Sequence, residues 1–177
     1  MTLHTEINLE NEICDHLAAH GWLYEKDAAS VYDRPAALFP PDLFDWISAT
    51  QPEAWESINK SQGSEAKAHI LARVRKQLDE RGTLEVLRHG VDFLGLRQKL
   101  VMAQFKPAHA FNEDLQARYA ANRLRVVRQV HYSQYNEQSI DLVLFLNGIP
   151  VATAELKSDF TQSVADAVDQ YRYDRYP

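Results

Sequence analysis

Cysteine is nearly absent: Cys14 is the only one among 177 residues. One thiol cannot close an intramolecular disulfide and cannot build a Cys-based zinc site. Such usage fits a reducing, cytoplasmic compartment. Glycine and proline are sparse, 6 and 7 residues, which excludes collagen-like or linker-like character. No excess of positive charge exists either. Lys+Arg 19 against Asp+Glu 25 gives a net charge of −6, so nucleic acid binding would need a local basic patch or a partner. No apolar run approaches the ~18 residues of a membrane span. The opening Met1-Thr2-Leu3-His4-Thr5-Glu6 lacks the basic start and apolar stretch of a secretion signal. There is no fixed-period repeat, no low-complexity tract and no Gly-x-x-x-x-Gly-Lys-Ser/Thr loop, so ATP binding by this segment is not expected.

What is present is enough apolar material for one domain: 45% of the chain is hydrophobic and 25% charged. Leu9, Ile13 and Leu17 recur at helical spacing over 5–20, and Gly21 stops that pattern. Prolines 35, 40 and 41 make 30–42 loop-like. Helices are expected over 42–58 and 64–81, with a shorter one near 84–89. After about residue 95 the pattern turns β-like. Residues 100–105 suggest a strand stopped by Pro107, and 112–121 a short helix or loop. Leu124, Val126, Val130 and Tyr132 alternate with polar residues, interrupted by Arg128. Ile140 to Leu146 reads as a buried central strand broken only by Asp141, Asn147-Gly148 as a hairpin turn, and 149–157 as the return strand. A last helix is expected over 160–173. The whole is α/β: a small mixed sheet flanked by helices (catalytic sheet and helix about 100–175), plus a mostly helical insert at about 42–90, in a single domain over 1–177.

The chemistry-bearing candidates lie on that hairpin. Asp141 opens one strand, and Glu155 and Lys157 end the next on one face, with Leu156 on the other. A two-residue loop pairs Leu146 with Ile149 and sets Asp141 and Glu155 on opposite faces. A three-residue loop, with Gly148 in a left-handed bulge, pairs Phe145 with Ile149 instead. It sets Asp141 opposite Thr153, diagonal to Glu155, and gathers Ile140, Leu142, Leu144, Ala152, Ala154 and Leu156 on one oily face for the last helix to cover. The apolar pattern favours this second register. Two carboxylates so placed can share a hard divalent cation, and a neighbouring ammonium can stabilise a phosphoryl transition state. The competing reading is a buried salt bridge of Lys157 with one carboxylate.

Asp141 followed by Glu155-Leu156-Lys157 resembles the PD-(D/E)XK nuclease core. More narrowly, Ser139-Ile140-Asp141-Leu142-Val143-Leu144-Phe145-Leu146-Asn147-Gly148-Ile149-Pro150-Val151 with Glu155-Leu156-Lys157 resembles the N-terminal nuclease domain of the type I restriction enzyme R subunit. The stretches Asn122-Arg123-Leu124, Arg128-Gln129-Val130 and Gln170-Tyr171-Arg172-Tyr173 share the likeness. The resemblance implies a restriction-endonuclease-like core and Mg²⁺-dependent cleavage of double-stranded DNA, with Mn²⁺ able to substitute. It implies Asp141 and Glu155 as metal ligands and catalytic groups, the Leu156 carbonyl and Glu10 (with Glu6 as fallback) as further ligands, and Lys157 as the catalytic lysine. Gln170 and Tyr173 would support DNA contact, although Asp174 stands where the family often has tyrosine. Arg123, Arg125, Arg128 and Arg172 would meet the DNA backbone; for any one arginine a solvated ion pair is the competing reading. The family further implies a longer chain with a helicase-like, ATP-driven motor, and modification (methyltransferase) and specificity subunits as partners. A related repair or phage-type nuclease, or a non-catalytic DNA or motor docking module that keeps the fold, are the alternatives.

Overall fold

The computed structural model describes residues 2–109, 111–156, 168–169 and 172–173. Six α-helices and three strands are described: α1 (Thr2–Ala19), α2 (Pro40–Thr50), α3 (Pro52–Gln62), α4 (Ala66–Arg81), α5 (Thr83–His89), α6 (Glu113–Ala120), β1 (Leu124–His131), β2 (Ser139–Leu146) and β3 (Ile149–Ala154). The strands form an antiparallel sheet in the order β1-β2-β3, so the strand expected to be central is central. Leu23 adds one parallel bridge to Arg125 at the β1 edge.

Three apolar clusters surround this sheet. Helices α2 to α5 enclose the largest, around Leu43, Trp46, Ile70, Val74, Val86, Leu100 and Met102, which also takes in Ile149. A second packs Ala28 and Phe39 against Val127, Val130, Val143 and Phe145. A third packs Cys14, Ile13 and Leu17 of α1 against Val126, Leu142, Leu144 and Leu156. The oily face read from the sequence is therefore covered by the first helix. The last helix, expected at 160–173, falls largely outside the described residues.

Three expectations change, each for a local reason. The single helix over 42–58 is two helices, because Pro52 cannot donate an N–H and pushes Gln51 out of helical geometry, to φ −141 and ψ 55. Pro40 and Pro41 start α2 instead of breaking it, since the first turn needs no donors. The strand expected at 100–105 is irregular apart from one bridge between Leu100 and Val91. Its backbone partners are side chains. Gln51 accepts from Val101 N at 2.7 Å, Trp46 Nε1 donates to Val101 O at 2.7 Å, and Asn147 Nδ2 donates to Met102 O at 2.9 Å.

The hairpin register also differs from the expected one. Asn147 and Gly148 both take positive φ, 51 and 79, so the loop has two residues and Leu146 pairs with Ile149. The pairing then shifts: Phe145 faces Pro150, yet Leu144 faces Ala152, leaving Val151 as an extra residue. Pro150 has no N–H for the ladder, which is where a bulge is tolerated. Beyond the bulge Val143 faces Thr153 and Leu142 faces Ala154. One further step along that register sets Asp141 across from Glu155. The two carboxylates return to one face, by a bulge in β3 instead of one in the turn.

Candidate metal-dependent site

The site begins with a break in alternation. Val126 and Leu142 belong to the cluster under α1, whereas Val127, Val130 and Ile140 belong to the opposite one. Val127 and Val130 are three apart, so a strict period of two cannot put them together. The phase resets at Gln129, whose φ is 49, in the left-handed region that costs a side-chain-bearing residue about 1–3 kcal/mol. Gln129 stands at the β1 position facing Asp141 of β2, where no backbone pair forms between Arg128–Leu142 and Val130–Ile140.

Four side chains converge there. Glu10 of α1 is 4% exposed. Arg128 grips its Oε2 with Nε at 2.8 Å and Nη2 at 2.7 Å. The same guanidinium donates to Asn11 Oδ1 at 2.6 Å and reaches the Tyr24 hydroxyl at 3.3 Å. Burial works against the charge of Arg128, but the bonds to Tyr24 and Glu10 outweigh it and its pKa rises. The other oxygen of Glu10, Oε1, accepts from Gln129 Nε2 at 2.9 Å. That amide nitrogen also lies 3.4 Å from Asp141 Oδ1. Asp141 Oδ2 accepts from Leu156 N at 2.7 Å. The Asp141 carboxylate thus touches the backbone of the Glu155-Leu156 segment on one side and is joined to Glu10 through a single amide on the other. Glu155 and Leu156 follow directly after β3 and are half-buried.

A hard divalent cation fits these donors. They are carboxylate oxygens, together with the main chain at 155–156, and no imidazole or thiolate competes. Cys14, nearby on α1, is fully buried, and burial raises its thiol pKa. Among the described residues no three His, Cys, Asp or Glu side chains are grouped as a metal cage. The described part therefore offers the two-carboxylate arrangement that Mg²⁺ uses while keeping several waters.

The remaining expected site residues separate. Lys157 and Gln170 lie outside the described residues. Arg172 and Tyr173 are exposed, Tyr173 at 65%. The three β1 arginines all have carboxylate partners. Arg125 is 4% exposed, stacks 4.4 Å over the Phe39 ring and bonds Asp42 through Nε at 2.6 Å and Nη2 at 3.1 Å. A guanidinium held that way is not presented to a phosphate backbone, so its expected DNA contact gives way to a structural role. Arg123, about one-third exposed, also reaches Asp42, at 2.9 Å, and Asp45 at 3.2 Å. The sequence reading missed Gln129, Asn11, Tyr24 and Ser139. The one signal for Gln129 was Val127, an apolar residue out of phase with Val126 and Val130.

Residues 4–177 match the family described as type I restriction enzyme R protein N terminus, and the chain belongs to that family. No match was found among curated proteins or among solved structures. Among the described residues no helix is long and apolar enough to cross a membrane.

Proposed function

We propose that this domain hydrolyses phosphodiester bonds of double-stranded DNA for a type I restriction enzyme, using Mg²⁺ held by Asp141, Glu155, Glu10 and the Leu156 carbonyl. The observation that carries this reading is the Asp141 carboxylate, hydrogen-bonded to Leu156 N and linked through Gln129 to Glu10. These groups come from α1, β2 and the end of β3, and they meet where the sheet alternation breaks.

When bound, such a cation lowers the pKa of a coordinated water and offsets the charge that develops on the phosphate. The protein's part is positional. Arg128 occupies Oε2 of Glu10 and so leaves Oε1 turned toward Asp141. Leu156 N–H fixes one oxygen of Asp141. Lys157, two residues after Glu155, is the group to steady the attacking water or the pentavalent phosphate. Arg123, Arg128 and Arg172, with Gln170 and Tyr173, are the proposed DNA contacts; the charge of Arg128 is shared with Glu10. The partners are double-stranded DNA and the modification and specificity subunits, the ATP-using motor is a further part of the R subunit, and the compartment is the cytoplasm.

The test is cleavage by the assembled enzyme with Mg²⁺. Asp141→Ala, Glu155→Ala and Lys157→Ala should each abolish cutting, by about 10³-fold or more, while assembly and thermal midpoint stay near wild type. Full cutting by any of the three would remove the assignment.

A further inference from the structure

Gln129 is exposed, yet its side chain is fully committed. Ser139 Oγ donates to its Oε1 at 2.8 Å, which fixes which end of the amide is which. The NH₂ end then faces two anions, Glu10 Oε1 at 2.9 Å and Asp141 Oδ1 at 3.4 Å. An amide nitrogen has two hydrogens, one for each carboxylate. Two anionic oxygens that share one donor lie close enough to repel, and the donor between them offsets that repulsion. A shared hard cation does the same with full charge. The amide therefore stands where a cation bridging these two oxygens would act, and the left-handed backbone at Gln129 is what brings it there.

We propose that the Gln129 amide is a placeholder for the divalent cation: it holds Glu10 and Asp141 together in the metal-free protein and swings out as metal enters. The inference rests on the reading of Asp141 and Glu10 as metal ligands. Arg128 does not need to move, because it holds the other oxygen of Glu10. The exposure of Gln129 lets the amide leave for water without opening the core. Gln129 is thus a positioning residue that competes with the metal, and the site does not close on a cation without displacing it.

The experiment is Mn²⁺ binding to the full-length protein, read by the paramagnetic resonance of free Mn²⁺, counting only binding that Asp141→Ala removes. Gln129→Ala and Gln129→Gly should bind Mn²⁺ about tenfold more tightly than wild type, the size of one competing charged hydrogen bond. Gln129→Glu should tighten binding further and make the thermal midpoint strongly metal-dependent, low without Mn²⁺ and restored with it. Gln129→Gly keeps the left-handed backbone at no steric cost, so it carries the test if the alanine variant fails to fold. Unchanged or weaker binding in the glycine variant would overturn the placeholder while leaving the metal site standing. Equal Mn²⁺ binding by wild type and Asp141→Ala would remove the metal site itself, and the placeholder with it.

Discussion

Two charged clusters sit on the same sheet, and they are built to opposite specifications. At one end, Asp42 of α2 is completely buried and takes bonds from both Arg123 and Arg125. Arg125 Nη1 is the one buried side-chain polar atom among the described residues without a hydrogen bond, and it lies 3.5 Å from Glu25. Burial works against the charge of Arg125, but Asp42 outweighs it and its pKa rises. At the other end, Glu10 has one guanidinium, Asp141 has none, and an uncharged amide on a strained backbone joins them. The first cluster neutralises its charge internally and pins α2 to the sheet. The second leaves anionic charge uncompensated beside solvent. Unbalanced, partly exposed carboxylates are what a site for a cation needs, and balanced buried pairs are what a scaffold needs.

The contrast breaks most sharply at Asp42. Asp42→Ala strands Arg125 in the interior and should cost about 3–5 kcal/mol, read as a large drop in urea midpoint. Glu10→Ala removes a carboxylate with a half-exposed partner and should cost less, about 1–3 kcal/mol, while abolishing the Mn²⁺ binding that Asp141 also supports. Equal costs would show that the two ends do the same job. Gly148→Ala tests the connection between them. A Cβ there would meet Phe39 O at 2.4 Å and Leu43 N at 2.8 Å, at a φ of +79, so a loss of about 2–3 kcal/mol is expected. The smallest effect is at Cys14. A buried thiol with a raised pKa should resist alkylation in the native protein and react readily once it is unfolded in urea.

The same division explains what could be read from the chain. Hairpin, central strand and helical segments were legible because Ile140 to Leu146, Asn147-Gly148 and the Ile70, Val74, Leu78 spacing carry local periodicity and turn chemistry. Asp141 and Glu155 stood out as charges in an apolar setting. The register did not, because the bulge at Val151 answers to Pro150 and to the packing of the turn against α2, neither of which appears in alternation. Arg125 was read as a surface cation since nothing near it in sequence announces Asp42, 83 positions away. Gln129 was invisible for a related reason. Its role comes from a backbone angle and from partners on two other elements.

The hairpin tip carries one last implication. Asn147 is completely buried: its Oδ1 accepts from Arg123 N at 2.7 Å and its Nδ2 donates to Met102 O, while Gly148 O accepts from Phe39 N at 2.8 Å. Such a tip cannot be lengthened, tagged or slid by one residue without dislodging the helices around it. The strand that bears Asp141 is thus indexed from its far end, like a rule held against a stop. Transplanting the hairpin alone into another framework would lose the alignment of its acidic groups unless Phe39 and the start of α2 travelled with it.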